Sequence, residues 1–452
     1  MSPTTTPQTE SGLSWFSIFR LGLVQAALGS IVVLTTSTLN RVMVVELGLL
    51  AVVPGALVGW HYAVQILRPL WGHRSDIGGN RSLWIIGGIA VLALSGTGAA
   101  ASALVLEQNF VLGIVAAIAA YTFIGFGIGA AGTSLLALMA SRTAPQRRPA
   151  AATIVWLMMI AGIAVTAIIT GQFLDPYSHS RLVAIAAIAG AISLLIAIAA
   201  LFGIERKPAL RAAVDDGHSA RKPPFLQSLR ATMDDPAARL FTVFVFVSML
   251  AYSTQDLILE PYGGFLFAMT PGETTSLSGL QHGGVFIGML FVGIFGSLLA
   301  RRWPGILRFF IVGGCLASGL ALALLSMSAS FAPNWPLTAN IVFLGLANGA
   351  FAVAAIGCMM TLAGADGKKQ EGIRMGLWGA AQAIAFGLGG VMGTIAIDLA
   401  RAATNDIALS YAIVFAAEAV LFVISAVIAS QIVFSQSRAQ TDWAPGQTPY
   451  QT

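Results

Sequence analysis

Apolar runs long enough to cross a bilayer recur along the whole chain, each closed by a short polar stretch. About 20 apolar residues suffice for one helical crossing. Twelve runs are read, at 19–40, 51–70, 83–105, 111–140, 151–173, 182–203, 239–260, 278–300, 306–330, 336–362, 373–397 and 408–434. The longer ones leave room for tilt or for extension past the membrane. The pattern predicts an all-α integral membrane protein of twelve transmembrane helices.

The polar stretch 204–238 is the one long interruption. It holds Pro208, Asp215, Asp216, Pro223, Pro224 and Asp234 to Pro236. It reads as a cytoplasmic linker between two six-helix halves, 19–203 and 239–434, with polar tails at 1–18 and 435–452. The halves echo each other. Trp156 and Trp378, and Arg147 and Lys369, share one offset, and Gly72 with Asp76 recurs close to that offset as Gly296 with Ala300. Such landmarks predict two pseudo-symmetric bundles built from a duplicated unit.

Composition sharpens the class. Hydrophobic residues are 57% and charged residues 10%, and the mean hydropathy is +0.82, which leaves too little charge to cover a water-soluble surface. All but three of the 24 Lys and Arg (Arg41, Arg181 and Arg401) fall on one side if both termini are cytoplasmic. The positive-inside rule therefore selects that orientation. The basic balance reports topology and gives no ground for a nucleic-acid partner, because no basic stretch carries interleaved aromatics. The polar start lacks the basic residues and short apolar region of a cleavable signal, so none is expected. Cys315 and Cys358 both fall within spans and read as buried small residues. No nucleophile elbow, phosphate loop or metal-ligand cluster is present, which argues against an enzyme. The run 125–132, GFGIGAAG, is glycine-rich but lies inside a span and reads as helix packing.

Between spans two and three, Gly72, Asp76, Gly79 and Arg81 match the loop signature of the major facilitator superfamily, with Ile77 and Ser82 where that family usually has basic residues. The loop resembles a structural latch: glycines for a tight turn, an acid at a helix start and an arginine to pair with it. Ala300 in the second copy removes the acid, so that latch is expected to be lost.

Ionisable groups inside a membrane are costly, and each is a candidate for function. His61, Gln65 and Arg68 recur at helical spacing on one face of span two. They fit interhelical hydrogen bonding, a ligand site or a proton relay. His282 sits beside Gly283 and Gly284 near the outer start of span eight. The run from Thr35 to Arg41 makes the outer end of span one polar, its hydroxyls expected to bond backbone or neighbouring helices, and Glu46 is placed to pair with Arg41. Asp256 and Glu260, four apart, share one helical face and read as a site for proton coupling or as an outer-face structural corner; Pro261, Gly263 and Gly264 are expected to break the helix after them. Glu418 is a lone acid in span twelve.

Four segments together resemble the PucC family of phototrophic bacteria, a branch of the major facilitator superfamily: Arg20 to Gln25, Thr38 to Leu47, Gln255 to Gly264, and Arg374 to Gln382. They are spread through both halves, so the likeness covers nearly the whole chain. His61, Tyr62, Ala63, Val64, Gln65, Arg68 and Pro69 look most like members associated with bacteriochlorophyll biosynthesis. The resemblance implies the major facilitator fold, a bacterial inner (intracytoplasmic) membrane location, and a non-enzymatic part in light-harvesting complex assembly. Bacteriochlorophyll is then the cargo. Antenna polypeptides, the reaction centre or bacteriochlorophyll synthase are the expected partners. His61 is the first magnesium-ligand candidate and His282 the second, with Gln65 and Arg68 set for polar pigment groups. A proton-coupled solute transporter using Asp256 or Glu260, and a pigment-free scaffold, are the alternatives.

Overall fold

The computed structural model describes residues 12–67, 80–144, 147–205, 230, 233–299, 302–303, 305–364 and 371–441, and among them there is no strand. Thirteen helices are named here in chain order. α1 is Trp15–Glu46 and α2 is Val52–Leu67. α3 is Arg81–Gln108, α4 Phe110–Arg142, α5 Arg148–Leu174 and α6 His179–Leu201. α7 is Pro236–Asp256, α8 Leu259–Phe267 and α9 Pro271–Leu299. α10 is Ile306–Ser328, α11 Leu337–Gly364, α12 Glu371–Thr404 and α13 Ile407–Thr441. Among the described residues there are eleven membrane-length apolar helical stretches, and the second predicted span appears as the shorter α2. The calls on Arg68, Gly72, Asp76, Gly79, Ala300 and Lys369, most of the 204–238 linker and the outermost tails lie outside the described residues. α13 runs to Thr441, past the predicted end of span twelve at 434, because the Gln, Arg and Ala there sustain a helix without apolar character.

These helices are apolar all round, so hydrophobicity does not select their inward face. Small residues do, because apolar surface gains little by leaving lipid and close backbone approach carries the packing. In α3 the buried positions include Gly88, Ser95, Gly96, Ala99 and Ala103, while Leu83, Val91 and Leu94 face outward. In α4 the glycine-rich run packs as expected. A Cβ on Gly127 would lie 2.8 Å from the Gly88 carbonyl oxygen and 2.8 Å from the Leu92 nitrogen. Both cysteines are buried.

The chain divides into two compact units that do not follow the halves of the sequence. One comprises Met1–Arg221 and Leu259–Gly283; the other comprises Lys222–Ile258 and Gly284–Thr452. The segment Leu259–Gly283, with α8 and the start of α9, thus belongs with the N-terminal helices. Its α9 end is pinned there by a capping box, which the sequence Thr270-Pro271-Gly272-Glu273 spells out. The Thr270 N–H donates to Glu273 and the Glu273 N–H to Thr270 Oγ1. Asp175, at the end of α5, accepts from the Thr270 hydroxyl and from the Gly272 N–H.

Arginines close helix ends on the face predicted to be cytoplasmic. Arg20 donates to the terminal carbonyls of Ala199 and Phe202, as cations at helix C-termini do. The backbone N–H groups of Arg81 and Ser82, at the start of α3, donate to Glu205. The Arg81 guanidinium donates to Ser141 Oγ and the Ala137 carbonyl. In the second unit the buried Arg374 pairs with Asp235 at 2.8 Å and donates to the Leu362 carbonyl. Of the repeat landmarks, Trp156 lies in α5 and Trp378 in α12, in different surroundings. Trp156 is 36% exposed, whereas Trp378 is 1% exposed and stacks edge-on against Phe241.

Candidate functional site

A buried polar cluster of the first unit is built where α1 departs from regular helix. Thr35 and Thr36 both turn their hydroxyls back to the Val32 carbonyl, a bond that competes with the helical ladder. The ladder then widens into two π-helical stretches, Leu34–Thr38 and Val42–Glu46. Such wide turns recur at functional sites. Here they present Ser37, Thr38 and Arg41 to α8 and α9.

Glu260 is the acid at the centre, 3% exposed. Ser37 Oγ donates to its carboxylate, and the Thr274 and Ser278 hydroxyls and the Arg41 guanidinium surround it. Ser37 and Ser278 are 3.1 Å apart, and the Thr275 hydroxyl donates to Thr38 at 3.1 Å. Arg41 is buried as well. It donates to Glu46 through one arm and to the Met269 carbonyl through the other, at 2.8 Å. The expected Arg41–Glu46 pair is therefore present, inside a larger network.

The shared face expected for Asp256 and Glu260 is corrected. α7 ends at Asp256, a turn occupies Leu257 and Ile258, and α8 begins at Leu259. The i, i+4 relation needs an unbroken helix, and the two acids fall in different units. Pro261, Gly263 and Gly264 do not break the helix either; all three lie within α8. Proline is accepted there because it sits in the first turn, where its missing N–H removes no internal hydrogen bond. In the second unit Asp256 has Glu418 of α13 as its acidic neighbour. Glu418 is 1% exposed, and neither of its oxygens has a hydrogen-bond partner. Gln255 beside Asp256 is also fully buried, with both amide atoms unbonded.

The histidines differ sharply. His61 is 1% exposed, with its ring 4.2 Å from that of Tyr62 and 6.3 Å from that of Tyr121. Its backbone abuts α4 so closely that a Cβ on Gly125 would lie 2.8 Å from the His61 carbonyl oxygen. Gln65 is buried where α2 tightens into a 3-10 turn, Gln65–Leu67. His282 is half-buried, and its Nδ1 lies 2.9 Å from the Ser278 carbonyl oxygen.

Ser37 and Thr38 bond a neighbouring helix, as expected for the hydroxyl run of span one; the members not singled out from sequence are Thr274, Thr275, Ser278 and the bridging Tyr121, whose hydroxyl donates to the Thr35 carbonyl. A signal for part of it existed. Thr274, Ser278 and His282 recur every fourth residue, which puts three polar groups on one face of an apolar helix.

Membrane-length apolar helices, interior polar groups and small-residue packing define a multi-pass helical membrane protein. A solved bacterial homologue of the human lysosomal transporter Spinster, in an inward-facing state, superposes with a TM-score of 0.66 at 15% identity, covering 96% of this chain and 100% of that one. The fold is that of the major facilitator transporters. Residues 38–437 match the family described as PUCC protein, and the chain belongs to that family. It is 51% identical over 429 residues to the "Bacteriochlorophyll synthase 44.5 kDa chain" of Rhodobacter capsulatus, across 95% of this chain and 98% of that relative. "Protein PucC" of Rhodobacter capsulatus is 28% identical, across 90% of each.

Proposed function

We propose that this protein is a non-enzymatic assembly factor of photosynthetic complexes. In this reading it binds bacteriochlorophyll within the bacterial inner, intracytoplasmic membrane and passes it to light-harvesting antenna polypeptides. Both termini are cytoplasmic, and the reaction centre or bacteriochlorophyll synthase is a further partner. The observation that carries the reading is near full-length similarity to a relative named as a chain of bacteriochlorophyll synthase, on a fold whose solved neighbour is a transporter. A pigment with a long hydrocarbon tail is itself membrane-soluble, so lateral entry from lipid suits it better than a sealed aqueous pathway.

Gentle purification from a phototrophic membrane, with an absorption spectrum and mass spectrometry of co-purifying proteins, tests this. A stoichiometric bacteriochlorophyll band with antenna or synthase subunits is the expected result. A colourless protein still bound to those subunits would leave only a scaffold role. A colourless protein with no photosynthetic partner would overturn the reading.

Proton-coupled solute transport is the second reading, and the Asp256–Glu418 neighbourhood favours it. Two neighbouring acids, the buried Glu418 with both oxygens unbonded and the half-buried Asp256 with one, are the kind of group a proton relay uses. It requires proton-driven uptake into liposomes that Asp256→Asn abolishes.

A further inference from the structure

We infer that His282 is the axial ligand, through Nε2, for the metal of a chlorin carried by this protein. The inference rests on the pigment-handling reading and adds the atom that would hold the pigment. Nδ1 of His282 lies 2.9 Å from the Ser278 carbonyl oxygen. A carbonyl can only accept, so in the neutral imidazole the proton is on Nδ1 and the lone pair on Nε2. Histidines that bind metals are generally anchored in this way, the second nitrogen donating to a carbonyl or carboxylate that fixes tautomer and ring orientation.

The anchor is itself held. Ser278 Oγ sits 3.1 Å from Ser37 Oγ, and Ser37 donates to Glu260. The carbonyl that sets the His282 tautomer thus belongs to a residue tied into the buried cluster on α1 and α8. Nε2 has no hydrogen bond or ion pair among the described residues, and the ring is only half-buried. Next to it in the chain Gly283 carries no side chain, and a Cβ there would meet nothing within 4 Å.

The other described histidines lack this combination. His61 is enclosed by Tyr62, Tyr121 and the α4 backbone. His179 has both nitrogens engaged, Nδ1 with the Tyr177 hydroxyl at 2.8 Å and Nε2 facing Glu107 at 3.4 Å.

The donor set also selects the class of ligand. A zinc ion at a protein site takes three or four protein ligands, and no group of three or more His, Cys, Asp or Glu among the described residues could hold one. A metallochlorin brings four ring nitrogens of its own and leaves an axial position for a single imidazole. One oriented nitrogen without a hydrogen-bond partner, on a half-buried ring, fits that requirement.

The test titrates the purified full-length protein in detergent with bacteriochlorophyll a, reading the coordination-sensitive visible band, and in parallel with metal-free bacteriopheophytin a. His282→Gly is expected to weaken bacteriochlorophyll binding roughly 10- to 100-fold. Added imidazole, entering the space the side chain vacated, should restore both affinity and band position. Bacteriopheophytin, having no metal to ligate, should bind wild type and variant alike. Undiminished bacteriochlorophyll binding by the variant would overturn the assignment to His282 while leaving pigment handling intact. Loss of both pigments without imidazole rescue would show that His282 acts through the fold, and would also overturn it. Failure of the wild type to bind either pigment would sink this inference and the reading beneath it together.

Discussion

Arg41→Leu is expected to lower stability more than any other single change in the polar cluster, by about 3–5 kcal/mol. Arg41 is buried and contacts Glu46, faces Glu260 and donates to the Met269 carbonyl. Removing it leaves the buried Glu260 carboxylate without its cation and the Met269 carbonyl without that donor. The loss is read by thermal or denaturant unfolding in detergent, followed by size-exclusion chromatography. Adding Glu260→Gln should recover part of it, because the second change removes the stranded charge; the two effects are then non-additive, as in residues of one network. Arg41→Lys should recover little, since one ammonium cannot reach two separate partners as the guanidinium fork does. A leucine variant as stable as wild type would show that the network is dispensable.

Gly127→Val should be the most damaging change in the glycine-rich run of α4, costing about 1–3 kcal/mol or more. A Cβ at that position meets backbone atoms, the Gly88 oxygen and the Leu92 nitrogen, each at 2.8 Å. Backbone cannot rotate aside as a side chain can, so α3 and α4 must separate. Gly132→Ala, at the end of the same run, is the contrast. Nothing lies within 4 Å of its Cβ, and alanine favours a helix by about 1 kcal/mol over glycine. Its unfolding midpoint should hold or rise. Equal behaviour of the two variants would refute the close α3–α4 contact.

The same run shows where reading the sequence stops. Glycines inside a span announce close packing, and Gly125 and Gly127 do pack closely. Which glycine matters depends on which neighbour approaches, and no periodicity encodes that. Asp256 and Glu260 make the same point. Their spacing promised a shared face, but a two-residue turn separates them. In an apolar segment, glycine and proline mark a place for irregular backbone without saying on which side of them the helix ends. Ser37 stands in a hydroxyl run expected to bond neighbouring helices, but its partner Ser278, far away in sequence, is legible only as one hydroxyl among many.

By itself the sequence determined the class of molecule: an all-helical membrane protein with apolar spans along the whole chain, and resemblance to the family to which it belongs. Those features follow from the length of apolar runs and from residue identities, which need no coordinates. Only the tertiary structure decided that Leu259–Gly283 joins the N-terminal helices, that Glu260 sits among hydroxyls of α1 and α9, and that His61 is enclosed while His282 keeps one nitrogen unbonded. The reason is physical. In lipid every helix face is apolar, so composition does not say which face turns inward. That choice is made by backbone approach and by the few polar groups that must find one another across the bundle.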